Sequence, residues 1–353
     1  DNAQDLFKLY IASWHDIGMG SGLSTPVWVP IVGVASFLTF GNVAAFISLF
    51  FLLAPFALLF AAHRYLKNFT SNSWLAASAA LLYALSPVAI SAVNSGRLGL
   101  LLFLILLPFT LPLFKNWAEI HTWTLRRLSA ITLLVGLLSA FNPSVILVLL
   151  GIVAYSATRD FLAANKNFKD TLFLQRAVRY ATLLLVPILL SAPGSFELFI
   201  RPQLMLSEIG FTVAGGGPNL AILANPGGPG SLPWWSISPI TVVLFVTYFS
   251  STAARKFATP GVVFLLSGAL VSALVISGNG SSSTTRASAG VFLAVATLFA
   301  IAAAVVMFDK IRSRLEQSHV NYRHISIALV LLLTVGYTAT STFWLVTAGS
   351  DSP

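Results

Sequence analysis

The chain has 353 residues, of which 57% are hydrophobic and only 9% charged, and its mean hydropathy is +0.86. A soluble domain carries roughly 25% charged residues, so this composition excludes water as the solvent for most of the surface. The net charge of +9 sits in short loops beside apolar runs, which points to membrane topology and lipid headgroups and away from nucleic acid; the absence of cysteine excludes disulfides and thiolate chemistry.

Apolar runs of about 17 residues or more recur along the sequence, each long enough to cross a hydrocarbon core as a helix, and the ten-residue alternation of a spanning barrel is absent. The expected fold is an all-α integral membrane protein of about ten transmembrane helices, read as one polytopic domain. Residues 1–42 form an outer loop with an interfacial helix, 43–195 a first helix group, 196–236 a long extracytoplasmic loop and 237–348 a second helix group. The chain opens on Asp1 without an initiator methionine, and the expectation is a segment of a longer protein.

In chain order, the opening stretch DNAQDLFKLYIASWHDIGMGSGLSTP is polar, then rich in glycine. A helix from Asp5 to Trp14 would turn Leu6, Leu9 and Tyr10 to one face and let it lie on a membrane. Asp1 and Asp5, four apart, would share a helical face; such carboxylates supply a general base or act as caps. His15 and Asp16 are adjacent and cannot face the same way, yet either can line a site. The apolar run from Pro26 to Phe40 reads as a half-inserted helix with Trp28 near the headgroups.

Spans are expected near 43–64, 74–92, 97–114, 128–141, 142–158, 179–195, 237–253, 258–278, 288–308 and 326–347. The pair between 128 and 158 pivots on Asn142 and Pro143, so a re-entrant hairpin and eight spans form the alternative. With both termini outside, all but four of the 20 basic residues fall in cytoplasmic loops or their margins, the exceptions being Lys8, Arg97, Arg201 and Arg286. Acidic residues show no such bias, as the positive-inside rule requires.

Three outer loops carry candidate chemistry. The turn AVNSGRLG holds Arg97, which reads either as an interfacial anchor or as a bidentate clamp on a phosphate. Between Ser195 and Trp235, FELFIRPQLMLSEIG suggests an amphipathic interfacial helix with Glu197, Arg201 and Glu208 on polar positions, followed by a Gly/Pro segment that is either a lid or a plain connector. In SGNGSSSTTRAS, Arg286 is the sole charge among hydroxyl residues and could meet a lipid phosphate or anchor a helix end. Among the histidines, His63, His121, His319 and His324 lack metal-ligand spacing, so neither a metal nor another cofactor is expected.

The order of WHDIGMGSGLSTP, an interfacial apolar helix, a span ending in HRYLK, the segment LLYALSPVAISAVNSGRLG and LLFLILLP resembles the membrane region of large polytopic actinobacterial glycosyltransferases. In those proteins a cytoplasmic family 2 glycosyltransferase domain is joined to a multi-span module similar in layout to the GT-C superfamily, which includes the mycobacterial arabinofuranosyltransferases. The resemblance implies a GT-C-like bundle with extracytoplasmic interfacial helices, a polyprenyl-phosphate-linked sugar donor, a glycan or glycolipid acceptor, and an attached cytoplasmic glycosyltransferase domain as partner. It assigns the base to Asp5, with Asp1 or Asp16 as substitutes, and phosphate binding to Arg97 or Arg286; His15, Arg201 and Glu208 are further candidate substrate contacts by their place in the outer loops. No adjacent Asp-Asp, Asp-Glu or Asp-x-Asp occurs in the first outer loop. A non-catalytic anchor and a transporter or flippase of lipid-linked glycans are the alternatives, although the nearly charge-free spans argue against ion coupling.

Overall fold

The structure, a computed structural model, describes residues 2–12, 25–163, 170–208, 213–214, 221–227, 238–277, 284–315 and 339. These are overwhelmingly helical: α1 (Ala3–Ile11), α2 (Trp28–Ala35), α3 (Val43–Leu66), α4 (Ser73–Ala84), α5 (Pro87–Asn94), α6 (Leu98–Leu113), α7 (Leu125–Phe141), α8 (Ser144–Ala163), α9 (Thr171–Leu190), α10 (Gly194–Ile200), α11 (Ala221–Ala224), α12 (Pro239–Ser250), α13 (Thr252–Ala273) and α14 (Gly290–Leu315). Short 3-10 turns cover Ser36–Thr39, Trp117–Thr122 and Pro202–Leu206. Three brief strands, β1 (Val213–Ala214), β2 (Val275–Ser277) and β3 (Thr284–Arg286), form an antiparallel ribbon in the order β1-β3-β2.

Small polar residues set where the helices begin. Asn72 accepts the N–H groups of Trp74 and Leu75 at 3.0 and 3.4 Å, Thr124 that of Arg127 at 3.3 Å, and Asp170 that of Phe173 at 2.8 Å. Each satisfies a donor that the first helical turn leaves open. Ser86 caps α5 in the same way, with Pro87 in the first position, where a missing N–H costs nothing. Ser86 and Pro87 therefore end one helix and start the next, and α4 and α5 meet at a bend of 44°.

Among the described residues five helices, α3, α8, α9, α13 and α14, are long and apolar enough to cross a membrane, or six if the bent α4–α5 pair counts as one span. This supports an all-α chain consistent with a multi-pass membrane protein, but not ten spans. The runs at 97–114, 128–141 and 237–253 became helices of 16, 17 and 12 residues. At 1.5 Å per residue α12 covers about 18 Å, well short of the hydrocarbon core. Hydropathy merged apolar residues across caps such as Ser238 and Ser251, which break the backbone. The pair at 128–158 forms the separate helices α7 and α8, whereas the run at 326–347, residue 339 apart, lies outside the described residues.

The described residues gather into two compact units, the first Asp1–Leu53 with Thr110–Ile209 and the second Ala54–Phe109 with Gly210–Pro353. In the first, α1 packs on α2 and α7 on α9. Gly33 lets α1 approach, since a Cβ there would lie 3.4 Å from the Phe7 ring, and Phe7 stacks on Phe37 with centroids 6.4 Å apart.

In the second unit α14 is the central helix: 78% of its spanning window is buried, against 28% for α13. Helices α13, α12, α4 and α5 pack on it. The buried stripe of α13, Ala254, Ala258, Gly261, Leu265, Gly268 and Ser272, is mostly small. Between membrane helices the attraction is close van der Waals packing, which small residues permit. A Cβ on Gly268 would come within 2.9 Å of Leu293 Cδ2.

Candidate functional site

The second unit holds a buried cation. Helix α5 ends at Asn94, and Gly96 adopts φ +64°, a left-handed conformation that glycine enters without strain. The Arg97 N–H then returns to the Ala92 carbonyl at 2.8 Å, closing the turn. The Arg97 side chain folds back along α5 and is only 4% exposed, so this turn produces an internal guanidinium and not the surface anchor considered from sequence.

Two serines receive it. Arg97 Nη1 donates to Ser91 Oγ at 3.0 Å and Nη2 to Ser288 Oγ at 3.4 Å. Ser288 lies between β3 and α14, where the Ala287 N–H donates to the Leu274 carbonyl at 3.0 Å and holds the segment to the end of α13. Gly290 leaves room for the guanidinium, because a Cβ there would stand 2.7 Å from Nη2.

Arg286 belongs to the same neighbourhood. It is the last residue of β3, two positions before Ser288, and pairs with Val213 on one side and Val275 on the other. The long loop of the sequence reading therefore contributes β1 to the ribbon that carries Arg286. Its residues 209–212, 215–220 and 228–236 lie outside the described residues.

Of the expected site residues, Arg97 and Arg286 both belong to the second unit. Asp5, Arg201 and Glu208 belong to the first unit. The exposed Asp5 carboxylate accepts the Asn2 N–H at 3.1 Å, the arrangement of a helix N-terminus. Arg201 interrupts what was expected as one amphipathic helix: α10 stops at Ile200, and Pro202 opens a 3-10 turn. Glu208 is buried, at 5% exposure. Asp1, His15 and Asp16 lie outside the described residues. Among the described residues, no group of three or more His, Asp or Glu is placed to hold a metal ion.

Ser91, Ser288 and Gly290 were missed by sequence reasoning. The hydroxyl-rich surroundings of Arg286 were the available signal for Ser288, but Ser91 lies inside an apolar helix and Gly290 at the start of another, where neither residue type stands out.

Chemically, the arrangement combines a buried guanidinium with two hydroxyls, and a strand of the same unit carries a second arginine. Such a set suits a phosphate oxygen better than a planar apolar ligand. Comparison of the chain with protein-family models, with curated proteins and with solved structures gave no match.

Proposed function

We propose that this chain is a membrane-embedded glycosyltransferase module that uses a polyprenyl-phosphate-linked sugar in cell-envelope glycan assembly, with the lipid phosphate bound at Arg97. The observation that carries the reading is the burial of Arg97 between the hydroxyls of Ser91 and Ser288, beside the strand that bears Arg286. A fixed cation in a low-dielectric setting stabilises the charge that develops on a departing phosphate without reorganising, which is what transfer from such a donor requires. Both termini of the chain and the Arg97 turn belong on the extracytoplasmic side in this reading, because the remaining basic residues then face inward.

The base in this scheme is Asp5, which would accept the acceptor's hydroxyl proton. One observation favours a second reading, a non-catalytic module that holds the lipid-linked glycan: the Asp5 carboxylate is engaged as a cap by Asn2. The two readings share the phosphate site and differ in Asp5.

The test uses the full chain in lipid nanodiscs with a polyprenyl-phosphate sugar and, in parallel, the phosphate-free polyprenol. Arg97→Gln should weaken binding of the phosphorylated lipid by at least about tenfold, the worth of one charge-assisted hydrogen bond, and leave polyprenol binding unchanged. Equal binding by wild type and variant would remove the phosphate site. Asp5→Asn then separates the readings, since loss of sugar transfer with binding intact identifies an enzyme.

A further inference from the structure

The first unit carries a second cationic cluster, which the function proposed above does not use. The turn between α6 and α7 is rich in aromatics, with Phe114, Trp117 and Trp123 in mutual contact and Trp117 stacked on Tyr180 of α9 at 5.5 Å. Two arginines grip this turn from outside. Arg127 of α7 donates through Nε to the Leu113 carbonyl at 3.0 Å and through Nη2 to the Leu113 and Lys115 carbonyls. Its guanidinium carbon also stands 4.2 Å from the centroid of the Trp123 ring. Arg179 of α9 donates through Nη1 to the Ile120 carbonyl at 2.8 Å and to the Trp123 carbonyl. Trp123 is thus in contact with both cations, one through its ring and the other through its backbone.

Carbonyl oxygens satisfy hydrogen bonds but do not neutralise charge. Among the described residues neither Arg127 nor Arg179 pairs with a carboxylate, and the nearby buried carboxylate, Asp160, is held by Arg159 and Arg176, each at 3.0 Å. Exposed Lys115 and Arg126 add to the positive charge, against a single exposed acid on the turn, Glu119. The bonds described leave Nη1 of Arg127 and Nε and Nη2 of Arg179 as available donors.

Beyond the arginines the same two helices present apolar side chains outward: Leu133 on α7, and Leu185 and Leu189 on α9, while Leu125 and Val178 are exposed beside the arginines themselves. Arginine beside tryptophan, followed along each helix by exposed aliphatic residues, is the polarity sequence of a headgroup boundary followed by acyl chains. From this juxtaposition we infer that Arg127 and Arg179, with the Trp123 turn between them, form a binding site for the phosphate headgroup of an anionic glycerophospholipid. The occupant is a lipid, because the donors border an exposed aliphatic face on two helices of a chain with apolar, span-length segments, and acyl chains match such a face.

The experiment is native mass spectrometry of the full chain in detergent, after exposure to an equimolar mixture of dioleoyl phosphatidylglycerol and dioleoyl phosphatidylcholine. Wild type should retain the phosphatidylglycerol at least about tenfold in excess, and that preference should fall to near unity in Arg127→Gln/Arg179→Gln, while Lys256→Gln, at an exposed cation of the second unit, keeps it. Equal retention of the two lipids by wild type overturns the site, and this arm needs no variant to fold. A preference that survives the double substitution in a protein with an unchanged thermal transition also overturns it. Displacement of phosphatidylglycerol by millimolar inorganic phosphate would show a phosphate site without lipid selectivity and would equally sink the assignment.

Discussion

The guanidinium of Arg97 reaches Ser288 across 191 positions of sequence, joining the turn after α5 to the approach to α14. That contact depends on Gly290, whose Cα faces Nη2 so closely that an added Cβ would stand 2.7 Å away, with Leu100 Cδ2 at 2.9 Å. Arginine can swing aside, but it then leaves the serines. Gly290→Ala should therefore lower the thermal transition by an amount equivalent to about 1–3 kcal/mol and weaken polyprenyl-phosphate binding as Arg97→Gln does. Full binding with a normal melt would show that the pocket does not need this geometry.

The helical class was legible in the sequence because hydrocarbon length and apolar composition state it directly. The number of spans was not. The run at 237–253 stays apolar through Ser251, yet the hydroxyl there accepts the Ala254 N–H and starts α13, so the apolar window extends past the end of α12, which has only 12 residues. Arg97 and Arg286 were legible as candidates because charges are rare outside the basic loops. The bond from Arg97 to Ser288, two positions after Arg286, was not, since it joins segments 191 positions apart and the intervening strands β2 and β3 are only three residues long, with no periodicity to read. The basic loop before α9 hid a different structure: the helix begins at Thr171 rather than near 179, which draws Arg176 and Arg179 onto its surface instead of leaving them in solvent.

Asp160 marks where α8 and α9 are tied by charge. Its carboxylate, 3% exposed, meets Arg176 at 3.0 Å through one oxygen and the Tyr180 hydroxyl at 3.0 Å through the other. Removing the acid leaves Arg176, only 22% exposed, without its anion. Asp160→Asn should cost about 2–4 kcal/mol, slightly below a fully buried pair because Arg176 retains some solvent. Arg159→Gln should cost under about 1 kcal/mol, since that side chain is 45% exposed. Denaturation of both variants in one detergent gives the comparison, and equal losses would contradict the assignment of Arg176 as the main partner.

Glycines in α13 and α8 should respond in opposite directions to the same substitution. At Gly268 a Cβ would press on Leu293 at 2.9 and 3.3 Å and on Phe292 at 3.4 Å, so Gly268→Ala should destabilise the α13–α14 contact by about 1–3 kcal/mol. At Gly151 in α8 nothing lies within 4 Å, and alanine should stabilise by about 0.5–1 kcal/mol through its better helix propensity. Thermal melts of the two single variants check the pair of signs, and a stabilised Gly268→Ala would mean that α13 and α14 are not in close contact.

The chain contains no cysteine, so single introduced thiols report sidedness without background. In the proposed topology Lys8, exposed on α1, and exposed Lys115, beside the aromatic turn, face opposite sides of the bilayer. Lys8→Cys in intact cells should react with a membrane-impermeant maleimide, while Lys115→Cys should react only after permeabilisation. Neither substitution removes a buried contact, so expression should hold. The charge bias behind this expectation rests on Lys and Arg alone, and it would invert as a whole if one span were miscounted. Labelling of both thiols in intact cells would put the amino end and the arginine-rich turns in one compartment, and with it would go the assignment of Arg97 to the face where lipid-linked sugars are used.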